Sequence, residues 1–487
     1  MKPAKISKEY QQDLLKTQLV DLIDMSHSLV QLADKFNWLR IDELCAAKFC
    51  EDNGRPGLSS RLVIGLLLLK QMNGLSDEEV CSKFIENPYY QYFCGNRHFE
   101  HQPAMTSESL TQWRKRLGDK VFQQILVETI NLGLAEEVID PKELSEVISD
   151  TTVQEKNISY PTDGKLLCRA IEHLVRAGKA VGIKFRQTYH KLAPQLRNKV
   201  ARLLHARKPG QAKKHLKTLR TLLGRVTRDV ERKSNALANQ SGSAFEALQS
   251  KLKLATKIFE QKRDSKDKVY SLHEPDTSCI AKGKAHKKYE YGSKVGLIST
   301  MKSSFIIAIE AFQGNPYDGK TLPSLLLQAE SNTGIKVETM VLDKGFRGCK
   351  KTNPEIKVML SGDRNLTPEE KEQLNQRSKI EATIGLSKSK CGLGRNFLKG
   401  VAGDKLNATL SAIAYNLKMI LRVIFYLIIG WLFYVNGKQK PNRIIMGFEV
   451  GFFSIDYVFY CEYPVQNNRV RIKKKRVLPT IIIREAA

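Results

Sequence analysis

The chain has 487 residues, with 79 Lys and Arg against 51 Asp and Glu and a formal net charge of +28. That length leaves room for roughly two to four domains with a real apolar core, and the positive excess points to a polyanionic partner, because Lys and Arg that neutralise phosphates release counterions. Nine cysteines, an odd number without a CxxC pair, and the polar start Met1-Lys-Pro-Ala-Lys argue against a disulfide scaffold or a secretory signal and for a reducing cytoplasm.

Residues 1–135 read as helical. Arg61-Leu-Val-Ile-Gly-Leu-Leu-Leu-Leu-Lys70 is an apolar helix ended by Asn73-Gly74. Ser76-Asp-Glu-Glu79 is a capping box for a second helix through Val80 and Phe84 that stops at Pro88. A third helix follows Pro103, with Leu110, Trp113 and Leu117 on one face and Arg114, Lys115 and Arg116 beside it. This order fits a helix-turn-helix DNA reader with Arg114 and Arg116 as contacts, and equally a plain helical bundle with solvated basic residues.

From about residue 136 the period changes. Val147-Ile148 before Asp150, then Thr151-Thr-Val153, have the β-branched density of a strand, and Pro161-Thr-Asp-Gly164 reads as a turn. Residues 165–263 form a basic helical insertion, with twenty Lys and Arg between Lys165 and Lys233 against only Glu172, Asp229 and Glu231. Leu196, Val200, Leu203 and Leu204, then Leu216, Leu219, Leu222 and Leu223, keep helical spacing. The expectation is an amphipathic hairpin whose basic outer face, including Lys213 and Lys214, meets DNA phosphate.

After Lys268 strands return at Tyr289–Ile298 and Phe305–Phe312. A Gly314-Asn-Pro-Tyr-Asp318 turn, with Asp318 as a helix cap, leads to a helix over Leu322–Ala329 and then a strand over Val337–Asp343. Glu381 falls on a helix after Pro368, and Leu406–Leu421 forms another. The order is that of a mixed α/β domain, in which one sheet can bring the strands of Asp150 and Asp343 together while the Glu381 helix packs across their edge. The apolar run Val423–Val435 is short of the roughly 20 residues that a spanning helix needs, so a buried or interfacial helix end is expected and a membrane partner is not. The tail, 436–487, alternates apolar and basic residues and suggests no function.

Three acids on two strands and a helix, in so basic a chain, suggest carboxylates gathered to hold divalent metal against nucleic-acid phosphate. Hard cations such as Mg²⁺ take oxygen ligands, and a pair of them can clamp the attacking and leaving oxygens of a phosphodiester. Neither Cys94-x3-His98-x2-His101 nor His273, Cys279 and His286 supplies a zinc-finger set, and no GxxxxGK[ST] loop appears.

These residues resemble those of a DDE-type insertion-sequence transposase of the bacterial IS-four/IS-five-like superfamily. The matching blocks are Asp150-Thr-Thr-Val-Gln-Glu-Lys-Asn-Ile-Ser-Tyr-Pro-Thr-Asp163, His273-Glu-Pro-Asp-Thr277 with Lys282-Gly-Lys284, Gly314-Asn-Pro-Tyr-Asp-Gly-Lys-Thr-Leu322, Asp343-Lys-Gly-Phe-Arg-Gly348 and Arg377-x3-Glu381-x6-Lys388. Phe93-Cys-Gly95 and Thr111-Gln-Trp-Arg-Lys-Arg-Leu-Gly118 resemble the same proteins' helical DNA-binding region, and the likeness covers about residues 10–435. It implies an RNase-H-like mixed sheet over 136–435, interrupted by the insertion, behind an N-terminal DNA-binding domain over 1–135. It further implies Asp150, Asp343 and Glu381 as catalytic, Mg²⁺-binding acids, with Mn²⁺ as a substitute. Arg377 and Lys388 match the basic members of the family's Tyr-x2-Arg-x3-Glu-x6-Lys signature, with Leu374 at the Tyr position; Lys344 and Arg347 flank the second acid. The implied activity is cleavage of element ends and joining of the 3′-hydroxyl to target DNA, by a homodimer on double-stranded DNA in a bacterial cytoplasm. An RNase-H-like nuclease that only cuts, and an inactive transposase-derived DNA-binding protein, stay open beside it.

Overall fold

The computed structural model describes residues 17–49, 57–235, 242–262, 264–281, 288–363 and 366–435, with short strands beyond them. Lys282, Lys284 and His286, and the tail's basic run from Arg469 to Arg476, lie outside the described residues. The chain divides into two units, Met1–Arg422 and Val423–Ala487.

Local chemistry sets the first helices: α1 (Leu19–Leu22), α2 (Ser28–Lys35), α3 (Trp38–Ala46) and α4 (Ser60–Asn73). Helix α4 buries nearly every side chain from Val63 to Leu69, as a helix apolar all round must, and ends on Gly74 in the left-handed conformation, φ +64°. Ser76 and Glu79 make both bonds of the capping box that opens α5 (Asp77–Glu86). Pro88 does more than stop that helix. It begins α6 (Pro88–Phe93), where the missing N–H costs nothing, and Asn87 caps the turn. The long α7 (Ser107–Ala135) is broken at Gly118, φ +71°.

Strand β1 (Glu146–Lys156) leads into α8 (Asp163–Ala180), α9 (Tyr189–His205), α10 (Pro209–Asn235) and α11 (Ser243–Glu260). The insertion is therefore four helices and not a hairpin. Apolar faces on the flanking stretches, which the basic composition masks, let α8 and α11 close a core of their own with Ile171, Leu174, Leu219, Leu223 and Leu248. The chain returns through β2 (Ser278–Ala281), β3 (Tyr289–Thr300), β4 (Ile306–Phe312), α12 (Asp318–Thr333), β5 (Thr339–Leu342), α13 (Cys349–Thr352) and β6 (Lys357–Leu360). Helices α14 (Pro368–Asn375) and α15 (Ser378–Lys390), strand β7 (Arg395–Asn396) and helix α16 (Gly400–Val435) follow.

The seven strands build one mixed sheet, as the mixed α/β order predicts. Its order is β2-β3-β1-β5-β6, with β4 also pairing β3 and β7 pairing β1. Strand β1 is antiparallel to β3 and parallel to β5, which is parallel to β6. The β1–β3 crossing is tight enough that a Cβ on Gly292 would lie 1.9 Å from the Gln154 carbonyl oxygen, so only glycine fits.

Helix α16 joins two segments that the sequence pattern keeps apart. Its part in the first unit is a core helix: Ala408, Ala412, Ile413 and Leu417 are buried. The Asn416 side chain bonds both the N–H and the carbonyl of Ile306. Gly400–Ile428 is long and apolar enough to cross a membrane by composition alone, yet half of its apolar window is buried within the protein. In the second unit β8 (Ile444–Met446) pairs with β11 (Tyr457–Phe459), and β9 (Glu449–Val450) with β10 (Phe453–Ser454).

A buried ion cluster knits the first unit together. The Lys156 ammonium, at the end of β1, lies 2.9 Å from Glu274 Oε2 and 2.8 Å from Asp404 Oδ1, and also donates to the Gly400 carbonyl. Glu274 accepts from the Gly400 N–H and Asp404 from the Asn396 amide. Burial pushes the Asp404 carboxyl above its ordinary range, and Lys156 only partly pulls it back. A folded-state value above the unfolded one means stability present at low pH and lost as pH rises through the folded value. Lys156→Met should thus cost about 3–5 kcal/mol near neutral pH and regain stability on acidification, as Asp404, left without its ammonium, takes up a proton. Urea unfolding followed across pH checks this.

Candidate catalytic site

The register of β1 and β5 fixes the first two acids. Ser149 stands opposite Leu342 in the parallel pairing, so the next position on each strand holds Asp150 and Asp343. Strand β5 ends there, whereas β1 runs on to Lys156, so Asp150 lies within its strand and not at its end. Asp150 Oδ1 accepts the Thr151 N–H at 2.6 Å. Glu381 comes from α15, which packs on β1. The helix is set by burial of Ile380, Thr383 and Ser387, with the Thr383 hydroxyl 3.3 Å from that of Tyr415 on α16.

Arg377, the residue before α15, ties two of the acids together. Its Nη1 lies 3.3 Å from Glu381 Oε1 and 3.7 Å from Asp343 Oδ1. Both carboxylates are open to solvent, their side chains 46% and 61% exposed for Asp343 and Glu381, so these are loose, solvated pairs. Among the described residues no three His, Cys, Asp or Glu side chains stand close enough to hold one ion. Asp343 and Glu381 nonetheless have what a hard cation takes: accessible carboxylate oxygens around one positive group, for which the guanidinium stands in. The donor set fits a divalent cation.

The basic residues divide. Lys388 is half-buried on α15, two turns on from Glu381. Lys344 and Arg347 are exposed on the turn after Asp343, with the Arg347 carbonyl accepting from the Tyr317 hydroxyl. Lys213 and Lys214 are exposed on α10. Arg116 is exposed, its guanidinium over the rings of Phe49 and Trp113. Arg114 needs correcting as a DNA contact. It is 4% exposed and its Nη1 lies 2.7 Å from Asp77 Oδ1, because the face of α7 that carries it turns inward onto α5.

Two residues at this site escape sequence pattern. Asp318 makes no capping bond to α12; its carboxylate accepts from the Thr151 hydroxyl at 2.8 Å and from the Lys294 ammonium at 2.9 Å. A lysine beside the apolar run Val295-Gly-Leu-Ile298 was the available signal, since a charge in a buried strand needs a partner.

Residues 17–116 match a family described as Transposase domain (DUF772), and residues 264–417 match the Transposase DDE domain. Over 195 residues the chain is 39% identical to the uncharacterized protein ORF8 in the nfe locus of Rhizobium meliloti, covering 40% of this chain and 94% of that protein. No solved structure matches. The chain belongs to the DDE-type insertion-sequence transposases.

The placement of the two arginines gives a test. Arg114→Ala should lower unfolding stability by about 1.5–3 kcal/mol, because Asp77 loses its two guanidinium bonds and keeps only Lys70, 2.7 Å away, as a partner, and should leave the salt dependence of DNA binding unchanged. Arg116→Ala should do the reverse, reducing the salt slope by about one. Denaturant unfolding and DNA titrations at several salt concentrations separate them.

Proposed function

We propose that the protein cleaves insertion-sequence ends and joins the freed 3′-hydroxyl to target DNA, with Asp150, Asp343 and Glu381 as the acids that hold Mg²⁺, or Mn²⁺ in its place. The observation that carries this reading is that Asp150 and Asp343 each follow the last paired residues, Ser149 and Leu342, of neighbouring parallel strands, with Arg377 spanning Asp343 and Glu381. A central strand with an antiparallel neighbour on one side and a parallel one on the other supports an RNase-H-like core. When bound, paired divalent cations supply charge neutralisation for the attacking and departing oxygens of an in-line displacement at phosphorus.

The chain's own residues do the rest. The three acids fix where positive charge is held and so where the scissile phosphate stops. Arg377 turns from the acids to a phosphate oxygen once their charge is met elsewhere, and Lys388 adds a point charge on the same helix. Lys344 and Arg347 hold the strand beside Asp343. The helices of residues 1–135 and the basic insertion supply the wider duplex contacts, and a homodimer brings two ends together. A nuclease that only cuts would use the same acids, so the assay must read joining.

Full-length protein with end-containing DNA and Mg²⁺ should give joined products; nicks alone would support the nuclease, and retarded but uncut DNA an inactive binder. Asp343→Asn should lower joining by roughly a hundredfold or more and spare DNA binding. Joining retained in that variant would refute the assignment of the acids. Reversing the charge of Lys208, Lys213, Lys214 and Lys217 together should flatten the salt dependence of binding, by about 0.9 for each phosphate left without its lysine. An unchanged slope would remove the insertion from the DNA interface.

A further inference from the structure

We infer that Lys294 and Asp318 are a positioning pair that sets the separation of Asp150 and Asp343, an inference that rests on reading those acids as the cation site. Neither residue belongs to the three acids or to the basic members of the signature. Lys294, in the middle of β3, is buried, and its ammonium donates to the Pro316 carbonyl at 2.6 Å and to Asp318 Oδ1 at 2.9 Å. Asp318 opens α12 on the far side of that contact, and the same Oδ1 accepts the hydroxyl of Thr151, the residue after Asp150. Its other oxygen, Oδ2, packs on the turn after Asp343: a Cβ built on Gly345 would lie 2.7 Å from it. One carboxylate thus touches β1 next to the first acid and the backbone two residues beyond the second, anchored by a cation from a third element.

Neighbouring contacts tighten this brace. Tyr317 donates its hydroxyl to the Arg347 carbonyl at 2.9 Å, and a Cβ on Gly319 would meet Tyr317 at 2.9 Å and Cys349 Sγ at 3.3 Å. The start of α12 is therefore wedged against the segment that follows Asp343. Strand pairing alone leaves this side open, because β5 stops at Leu342 and the chain beyond it has no ladder to hold it. The brace takes over where the hydrogen-bonded register ends. Groups that orient a metal-binding carboxylate commonly change metal affinity without touching the ion, and this is the role assigned here.

The test is Mn²⁺ binding to the full-length protein, read by the electron paramagnetic resonance signal of free Mn²⁺, alongside thermal unfolding and retention of end-containing DNA. Thr151→Val keeps the shape and the strand but removes the hydroxyl that reaches Asp318. It should weaken Mn²⁺ binding by roughly tenfold with unfolding and DNA retention unchanged. Asp318→Ala strands Lys294 and is expected to lose stability as well, so Asp318→Asn, which keeps an acceptor oxygen, serves as the rescue and should recover part of the affinity. Gly345→Ala should weaken Mn²⁺ binding by pushing Asp318 aside. Parental Mn²⁺ affinity in Thr151→Val and Gly345→Ala, with Asp343→Asn losing it, would overturn the brace and leave the cation site standing. Unaltered Mn²⁺ binding in Asp343→Asn itself would overturn both.

Discussion

Neighbouring strands of a sheet lie about 5 Å apart, and in a parallel pair the register decides which side chains share that spacing. Here Ser149 stands opposite Leu342, the last pair of the ladder, and the residue that follows each is an aspartate. Carboxylates brought close together repel each other and gain from positive charge placed among them. Arg377 lies near Asp343 and Glu381, and Lys294 holds Asp318, whose carboxylate also accepts the Thr151 hydroxyl.

The surrounding architecture keeps this charge arrangement stiff. Strand β1 is held on both edges, by β3 and by β5, and its far end is pinned by the fully buried ammonium of Lys156. The Asn416 amide replaces a missing backbone partner at Ile306, fastening α16 to the sheet. The helices before the sheet belong to the same compact unit, as when Gln71 on α4 donates to the Cys391 carbonyl just after α15. The change of secondary structure near residue 136 is therefore not a break in packing.

Much of this was legible in the residues, and the misses have physical causes. The capping box at Ser76 and the strands around Asp150 and Asp343 follow from local signals, a side chain that bonds its own backbone and β-branched density; Glu381 is helical as expected, but the proline at 368 starts a separate helix, Pro368–Asn375, and the Glu381 helix begins only at Ser378. What local pattern does not report is which face of an element turns inward. Arg114 reads as solvated because it sits in a basic triplet, yet the turn of α7 buries it against Asp77. Asp318 reads as a cap because it precedes a helix, but a lysine on another strand claims its carboxylate. The four-helix insertion looked like a hairpin because its charge hides the apolar faces at either end. The pairing of the acids themselves needed a register, which no single segment encodes.

The insertion's private core has a consequence for biosynthesis. Ser149 on β1 bonds the carbonyl of Leu297 on β3, and the two are 148 residues apart. At ribosomal speeds β1 emerges roughly ten seconds before its antiparallel partner exists, exposing bare edges during that wait. The bundle between them has its own cluster of buried apolar residues, with α8 packed on α11, so the chain that separates the two strands is compact rather than an open loop. An element that interrupts the sheet in sequence thus brings its own two ends together once folded, which lowers the entropic cost of joining β1 to β3 relative to an unstructured loop of that length.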